Sequence, residues 1–377
     1  MEFQKLGLIQ PLFSTLQKKG YTDPTPVQEQ AIPPMLAGKD ILGCAQTGTG
    51  KTAAFALPIL QLITKRKMQD KRTLIRALVL VPTRELAVQV SESFFSYGTQ
   101  LRIKHAVVYG GVSQFPQVSK IRKGVDILIA TPGRLLDLIN QRHFNLSQIE
   151  HFVLDEADRM LDMGFLPDIK KVIALLPEKR QTVLFSATIS KEIKKLTDSM
   201  LVNPMYIDIT PESPTTDLVD QKIYYVKKDS KRFLLTHLLQ DNDVTNAIVF
   251  TRTKYGADKV VKHLVKNGIK AEAIHGDKSQ GARERSLRGF KKNALQVLVA
   301  TDIASRGLDI AKLSHVINYE MPEQPETYVH RIGRTGRAGM PGKAVSFCAN
   351  DEKPYLKSIT KLINKKLDIV TAHPFAD

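Results

Sequence analysis

The stretch DILGCAQTGTGKT, residues 40–52, passes from an apolar run into a glycine loop, and the following AAFALPILQLI can continue as a helix. A strand that turns through glycines into a helix binds anions, because backbone N–H groups and the positive end of the helix dipole point at the same place. Residues 45–52 nearly match the phosphate-loop pattern G-x-x-x-x-G-K-[ST], with Ala45 at the first position. This stretch therefore predicts an α/β fold built around a phosphate-binding strand.

The residue types of this loop fit a nucleoside triphosphate. Gly48 and Gly50 let the backbone curl round an anion. Lys51 would reach the β and γ phosphates, and Thr52 would hold Mg²⁺. Residues 48–53 also fit the dinucleotide fingerprint G-x-G-x-x-[GA], but that fingerprint requires an acid about 20 residues further on. Near that distance the chain has the basic stretch KRKMQDKRT, so the Lys-Thr pair favours a triphosphate over a dinucleotide.

Three carboxylates follow another apolar run. In VLDEADRML, residues 153–161, Asp155, Glu156 and Asp158 occupy three of four positions, and their mutual repulsion calls for a positive charge among them. Asp155 would bind the water shell of Mg²⁺, and Glu156 would act as general base or orient the attacking water. A helix N-terminus enriched in acids is the structural alternative. The phosphate loop favours the metal ion as the missing charge, with basic residues from elsewhere.

Apolar runs alternate with amphipathic stretches through the whole chain. Continuous apolar strands separated by helical patterns predict mostly parallel sheets covered by helices on both faces. The runs are DILGC (40–44), ALVLV (77–81), HAVVY (105–109), DILIA (126–130), HFVL (151–154), TVLFS (182–186), IYYV (223–226), AIVF (247–250), AEAI (271–274), VLVA (297–300), HVINY (315–319) and AVSF (344–347). TPESPTTDLVDQ, residues 210–221, has the composition of a linker. We expect α/β domains at 1–209 and 222–377.

Composition indicates the class of partner. The 377 residues include 55 Lys and Arg against 38 Asp and Glu, a net charge of +17 that favours a polyanion, although an inert charged surface is the alternative. The N-terminal MEFQKLGL has no signal-peptide core, and no apolar run approaches a membrane span. We expect a cytoplasmic protein with no membrane partner, in which Cys44 and Cys348 are buried thiols.

The second domain has no phosphate loop but carries HRIGRTGRAG at residues 330–339. Arg334 and Arg337 are three positions apart among glycines, which lets their guanidinium groups approach another surface. Arginines presented to a γ phosphate would stabilise the charge of phosphoryl transfer. A basic solvated turn is the alternative.

Ordered motifs over nearly the whole chain resemble those of the DEAD-box ATP-dependent RNA helicases of superfamily two. They are GYTDPTPVQ (20–28), AQTGTGKT (45–52), PTRELA (82–87), Gly110-Gly111, TPGR (131–134), DEAD (155–158), SAT (186–188), IVFTRT (248–253), ATDIASRGLD (300–309) and HRIGRTGR (330–337). HPF at 373–375 is similar to bacterial RhlE-type members. The resemblance implies two tandem RecA-like domains, ATP and Mg²⁺ as cofactors, and a monomeric core.

The resemblance also implies roles around the nucleotide. Adenine would stack on Phe3 and Tyr21, and the Gln28 amide would match its N6–H and N7 edge. Ser186 and Thr188 would couple the nucleotide site to strand separation. Asp158 and His330 would bond to each other across the cleft between the domains. The remaining expected contacts are those of the loop with the phosphates, of Asp309 with the ribose, and of the catalytic groups: Thr47, Gly48, Thr49, Gly50, Lys51, Thr52, Asp309, Asp155, Glu156, Arg334 and Arg337.

For RNA, the resemblance implies contacts to phosphates and 2′-hydroxyls that carry no sequence information. The residues expected to make them are Pro82, Thr83, Arg84, Gly111, Thr131, Arg134, Arg252 and Thr301. ATP and RNA would close the domains, separate short duplexes locally and release the RNA on hydrolysis. Partners from ribosome assembly or RNA decay are expected, and no RNA-binding extension is expected to follow the core. A DNA translocase would share the ATPase parts, whereas a non-enzymatic RNA clamp would lack Glu156 or the arginines.

Overall fold

The computed structural model of the chain describes residues 3–46, 48–70, 72–209, 219–241, 243–302, 313–336 and 342–376. The chain divides into two compact units, Met1–Thr210 and Pro211–Asp377. Thr47, Asp309 and Arg337, three of the predicted site residues, lie outside the described ranges. No described helix is both long and apolar enough to cross a membrane.

The first unit is a seven-stranded sheet with helices on both faces. Its strands are β1 Ile41–Ala45, β2 Ala77–Leu80, β3 His105–Val108, β4 Ile127–Ala130, β5 His151–Leu154, β6 Gln181–Ser186 and β7 Met205–Ile209. A 3₁₀ turn at Phe3–Leu6 precedes helices α1 Gln10–Lys18, α2 Pro26–Leu36, α3 Lys51–Gln69, α4 Arg84–Tyr97, α5 Phe115–Arg122, α6 Pro132–Asn140, α7 Ala157–Asp162, α8 Leu166–Ala174 and α9 Lys191–Met200.

All strand pairs of this sheet are parallel, in the order β3-β4-β2-β5-β6-β1-β7. Every residue of β2, β4 and β6 is buried, which is why these strands are nearly continuous apolar runs. Since the strands are parallel, their carboxyl ends lie at one edge of the sheet. Six of the seven strands are followed there by predicted motifs or described helices, and this edge positions the candidate site.

The second unit repeats the plan. Its strands are β8 Val219–Tyr225, β9 Ala247–Phe250, β10 Ala271–Ile274, β11 Val297–Ala300, β12 His315–Asn318, β13 Gly342–Cys348 and β14 Asp368–Val370. The sheet is parallel throughout, in the order β10-β11-β9-β12-β13-β8-β14. Its described helices are α10 Lys231–Leu239, α11 Lys254–Lys266, α12 Gln280–Lys291, α13 Pro325–Ile332 and α14 Lys353–Ile363, with 3₁₀ turns at Lys228–Ser230 and Asn350–Glu352.

The predicted fold class is confirmed, and three details differ from expectation. The predicted linker extends to Gln221, but β8 already begins at Val219, because Val219, Gln221 and Ile223 alternate as the buried side of a strand. The edge strands β7 and β14 were not predicted, since neither has a continuous apolar run. Cys348 is buried as expected, whereas Cys44 is only half-buried.

Candidate active site

The phosphate loop has the backbone that its glycines permit. Gly48 and Gly50 have φ of 93° and 97°, in the left-handed region, and Gly50 is the residue immediately before α3. A Cβ at Gly50 would lie 2.5 Å from Gln28 Nε2 and 2.7 Å from Thr25 Oγ1, so this position also has no space for a side chain. Thr49 Oγ1 donates to the Gln46 carbonyl at 2.8 Å. The first N–H groups of α3, which lack partners within a helix, therefore open onto a preformed turn.

Lys51 is buried at the first position of α3. Its Nζ donates to the carbonyl oxygen of Ala45 at 2.8 Å, so the ammonium group closes the loop on itself. Ala45 stands where the general loop pattern has Gly, and it forms the last residue of β1. The lysine is therefore positioned by the strand that precedes the loop as well as by the helix that follows it.

The three carboxylates follow β5 and are all buried. Burial raises the pKa of Asp155 to about 6; the positive charge of Lys51 opposes this shift, and the negative charges of Glu156 and Asp158 add to it. Asp155 Oδ1 accepts a hydrogen bond from the backbone N–H of Glu156 at 2.9 Å. The charge of Lys51 lowers the pKa of Asp155, so the phosphate loop and the acidic segment lie near each other at the carboxyl ends of β1 and β5.

Glu156 has a strained backbone. Its φ of 56° and ψ of 50° are left-handed, which is uncommon outside glycine and costs free energy that the surrounding structure must offset. The Glu156 carboxylate pairs with Arg159, also buried, one turn later. The sequence predicted basic partners from elsewhere in the chain, so Arg159 was missed; its three-residue spacing from Glu156 on a helix is the signal that could have identified it.

Ser186 and Thr188 are bonded directly to the acidic segment. Asp158 Oδ2 accepts hydrogen bonds from the backbone N–H groups of Ala187 at 3.0 Å and Thr188 at 3.1 Å. Ser186 Oγ accepts from the Asp158 N–H at 3.3 Å and donates to the Thr188 carbonyl at 2.7 Å. This network joins the end of β6 to the start of α7. The predicted contact between Asp158 and His330 links the two units and stays a prediction.

On the expected adenine side, Gln28 is buried against the phosphate loop. Its Oε1 accepts from the Thr25 N–H at 3.1 Å and its Nε2 donates to the Gly50 carbonyl at 3.2 Å. Each atom retains one further hydrogen-bonding position, since an amide has two donors and an acceptor with two lone pairs. Gln28 can therefore contact a base while holding the loop.

The two predicted stacking residues differ in exposure. Tyr21 is 38% exposed, whereas Phe3 is 1% exposed within the core. The Phe3 ring meets Tyr21 edge-on with centroids 6.2 Å apart, and Tyr21 meets Tyr97 in the same manner. The Tyr21 and Tyr97 hydroxyls are 3.2 Å apart. In this conformation Tyr21 offers a surface for stacking, and Phe3 supports Tyr21 from behind.

Three loops that follow β2, β3 and β4 meet at the other half of the same edge. Thr83 caps α4 by accepting from the Leu86 N–H at 3.3 Å, and the next side chain, Arg84, lies against Gly111 so closely that a Cβ there would collide with the guanidinium. Arg134 donates from both terminal nitrogens to the Val112 carbonyl at 3.2 Å. Each arginine thus clamps the loop that follows β3.

The same loops contain the other two residues predicted to contact RNA in this unit. Pro82 is buried two residues after the end of β2. Thr131 is buried directly after β4, and its N–H donates to the Val108 carbonyl at 3.0 Å. Both residues hold the main chain near the ends of their strands, which fits the predicted contacts between the main chain and RNA.

In the second unit, Arg252 is held by acidic residues. Its backbone N–H donates to Glu320 Oε2 at 2.7 Å, and its guanidinium donates to Glu352 at 2.8 Å and Glu323 at 3.5 Å. Thr301 is half-buried, and its N–H lies 3.4 Å from the Ile274 carbonyl. The structure places Arg252 just past the carboxyl end of β9, within a set of carboxylates that the sequence did not indicate.

The HRIGRTGR segment contains a structural arginine that was not predicted. Arg331 is buried, its guanidinium is bonded to Asp302 at 2.6 and 2.8 Å and to Asn318 Oδ1 at 3.0 Å, and it lies 5.1 Å from the Phe250 ring centroid. Arg334 is also buried, whereas His330 is exposed. Arg331 follows the buried Tyr328 by three positions, so helical periodicity is the signal that could have separated it from the arginines expected at the γ phosphate.

Comparison with known proteins identifies the family. The DEAD/DEAH box helicase family model matches residues 25–196, and the helicase conserved C-terminal domain model matches residues 230–339. The ATP-dependent RNA helicase CshA of Limosilactobacillus reuteri is 45% identical over 369 residues, which cover 97% of this chain and 73% of that protein. The chain belongs to the DEAD-box RNA helicase family. It is an ATP-dependent RNA helicase, an enzyme whose ATPase depends on RNA.

Further relatives agree with this assignment. The DEAD-box ATP-dependent RNA helicase RhpA of Helicobacter pylori is 44% identical to this helicase over 367 residues, covering 97% of this chain and 73% of that protein. Among solved structures, S. cerevisiae Dbp5 bound to RNA and ADP BeF3 has a TM-score of 0.86 at 30% identity, covering 98% of this chain and 95% of that one. Mss116p bound to ssRNA and AMP-PNP has a TM-score of 0.87 at 27% identity, with 98% and 79% covered.

Proposed function

We propose that this helicase binds ATP with Mg²⁺ at the carboxyl ends of β1, β6 and β5, and RNA at the carboxyl ends of β2, β4 and β3. The strand order β3-β4-β2-β5-β6-β1 supports this division, because it places the two sets of motifs on two adjacent halves of one edge. β2 and β5 meet at the boundary, where the Asp155 N–H donates to the Leu80 carbonyl at 3.0 Å. An RNA-induced shift of the loop after β2 would therefore act directly on the acidic segment.

Phosphate binding would replace contacts that the protein makes with itself. Lys51 would exchange the Ala45 carbonyl for a phosphate oxygen, and the N–H groups of the loop, from Thr47 to Thr52, would surround the β phosphate. Gln28 would read the adenine edge with its two remaining positions, and Tyr21 would stack on the base. Asp309 would contact the ribose.

The residues present fit a magnesium ion. The described residues contain no cluster of three or more His, Cys, Asp or Glu that could hold a metal by itself. Mg²⁺ is usually bound by one or two protein oxygens together with phosphates and waters, and Thr52 and the buried Asp155 provide such a pair. Mg²⁺ would neutralise charge on the β and γ phosphates.

Glu156 would accept the proton of the attacking water at its carboxylate. Arg159 holds that carboxylate in place through an ion pair. Arg334 and Arg337 would stabilise the charge of phosphoryl transfer after the two units close. A second group of residues would couple the state of the nucleotide to strand separation: Ser186, Thr188, Asp158 and His330.

The RNA strand would lie across both units, with Arg252 and Thr301 contributing from the second. Closure on ATP and RNA would separate a few base pairs, and hydrolysis would release the strand. The RhlE-type assignment, which rests on HPF at 373–375, belongs to this proposal, as do the cytoplasmic location, the monomeric core and partners from ribosome assembly or RNA decay.

A pair of variants tests the division of the edge. Arg84→Ala with Arg134→Ala should weaken RNA binding and RNA stimulation of the ATPase, while affinity for a fluorescent ATP analogue stays unchanged. Lys51→Ala should weaken binding of the ATP analogue, measured without RNA, and should leave RNA binding, measured without nucleotide, unchanged. Arg122→Ala, an exposed arginine at the far end of α5, is the control. If Arg84→Ala with Arg134→Ala abolished nucleotide binding to the same extent as RNA binding, the two halves would not be separate sites.

A further inference from the structure

A groove of about 580 Å³ lies on the second unit between α14 and the edge strand β14. Aliphatic residues form its floor. They are Leu356 of α14, Ile369 of β14 and Leu367, the residue before β14. Ile369 is 47% exposed, which is a large fraction for an isoleucine beside a core cluster. The groove therefore presents apolar surface that the described residues leave uncovered.

The rim of this groove is basic. Lys353, Lys357, Lys365 and Lys366 line it, and no carboxylate does so within the described parts of the chain. Asp368 belongs to β14 but does not line the groove. A ligand seated on the aliphatic floor would therefore meet four ammonium groups, which favour an acidic ligand by charge complementarity.

β14 is also the last strand of its sheet. It pairs with β8 on one side, and no described strand pairs with its other side. The outer N–H and C=O groups of such an edge are a template for an added strand. Nucleic acid has no peptide N–H and C=O groups that could continue the hydrogen-bond pattern of β14, so this free edge favours an extended peptide.

We propose that this groove binds an extended segment of a partner protein in which aliphatic and acidic side chains alternate. The segment would add a strand to the free edge of β14, place its aliphatic side chains against Leu356 and Ile369, and bring its carboxylates to the lysine rim. This surface is separate from the residues assigned to ATP and RNA, so occupancy would tether the helicase to a partner without blocking its catalytic edge.

The probe is a fluorescein-labelled peptide of about eight residues, within the usual range of strand lengths, in which Glu alternates with Ile or Val. Two control peptides have the same residues with all glutamates grouped at one end, or Lys in place of Glu. Fluorescence anisotropy with the full chain should show binding of the alternating acidic peptide alone. Hydrogen exchange should show new protection of the β14 amides, which binding by charge alone would not produce.

Matched variants locate the site. Ile369→Asp, or Lys357→Glu with Lys366→Glu, should weaken binding at least roughly tenfold, equivalent to about 1.4 kcal/mol. Leu362→Asp and Lys361→Glu are the controls, because Leu362 is 46% exposed on α14 and neither residue lines the groove. RNA-stimulated ATPase activity, unchanged in all four, shows that each variant is folded.

Three results would overturn the proposal. One is the absence of binding to the alternating peptide by the unaltered chain. Another is equal binding to the peptide with grouped glutamates, or binding without protection of β14, since either would mean attraction by charge alone. The third is displacement of the peptide from the unaltered chain by single-stranded RNA, which would make the groove a nucleic-acid contact.

Discussion

At the scale of single residues, several side chains of the candidate site form hydrogen bonds or ion pairs with other residues of the site. Lys51 closes the phosphate loop, Gln28 bonds to that loop, and Arg159 holds Glu156. Asp155 is buried beside like charges, and its pKa is raised to about 6 mainly by that burial. The Gln28 and Arg159 contacts can persist when the phosphates bind, which lowers the reorganisation needed, whereas Lys51 would have to exchange the Ala45 carbonyl for a phosphate oxygen.

Glu156→Gln should abolish turnover while preserving binding of ATP and RNA. The amide keeps the size of the side chain and loses only its ability to accept a proton, and general-base contributions amount to roughly 10² to 10⁴ in rate. Single-turnover hydrolysis and nucleotide affinity are the measurements. A variant that hydrolyses ATP at the parent rate would remove Glu156 from this role.

Gln28→Ala should relax the preference for ATP over GTP. The amide matches the donor and acceptor of the adenine edge, whereas guanine presents two acceptors there. Because Gln28 Nε2 also donates to the Gly50 carbonyl, affinity for both nucleotides should fall as well. Competition binding of ATP and GTP distinguishes these effects, and unchanged discrimination would show that Gln28 does not contact the base.

At the scale of elements, the central strands were predictable and the edges were not. A strand buried on both faces, such as β2 or β4, has a continuous apolar run that the sequence shows directly. β7 has one buried residue and β14 has none, and each pairs with a single neighbouring strand, so no continuous apolar run marks them. The place of the motifs in the fold was predictable because the motifs directly follow the apolar runs of the central strands.

Contacts between side chains were harder to predict than their positions. Arg331 occurs in the segment that carries the arginine motif, and only the fold shows that its guanidinium is bound to the Asp302 carboxylate. Likewise, Arg252 follows the central strand β9, but its three acidic neighbours come from later parts of the chain. Spacing along one strand or helix cannot indicate such partners.

Arg331→Ala should destabilise the second unit by about 3 kcal/mol, because it leaves the Asp302 carboxylate without its ionic partner. Asn318 Oδ1 would lose a donor as well. Urea unfolding followed by hydrogen exchange in β9 and β12 measures the effect within that unit. Arg288→Ala, an exposed arginine of α12, is the control and should change little. Equal stability of the two variants would contradict a structural role for Arg331.

At the scale of the whole molecule, the phosphate loop lies in the first unit and the arginine motif HRIGRTGR lies in the second. The proposed catalysis needs both, so the units must close on the nucleotide. In the proposed arrangement RNA would share the edge of the first unit with ATP and should favour the same closed state. Each ligand alone would engage only part of the contacts, which predicts closure when both are bound.

Small-angle X-ray scattering of the full chain tests this central claim most directly. With a non-hydrolysable ATP analogue and single-stranded RNA together, the radius of gyration should fall, while either ligand alone should leave it nearly unchanged. Arg84→Ala with Arg134→Ala should lose the response to RNA. Dimensions that stay the same with both ligands bound would contradict the account, since the arginines of the second unit could then not act on a nucleotide held by the first.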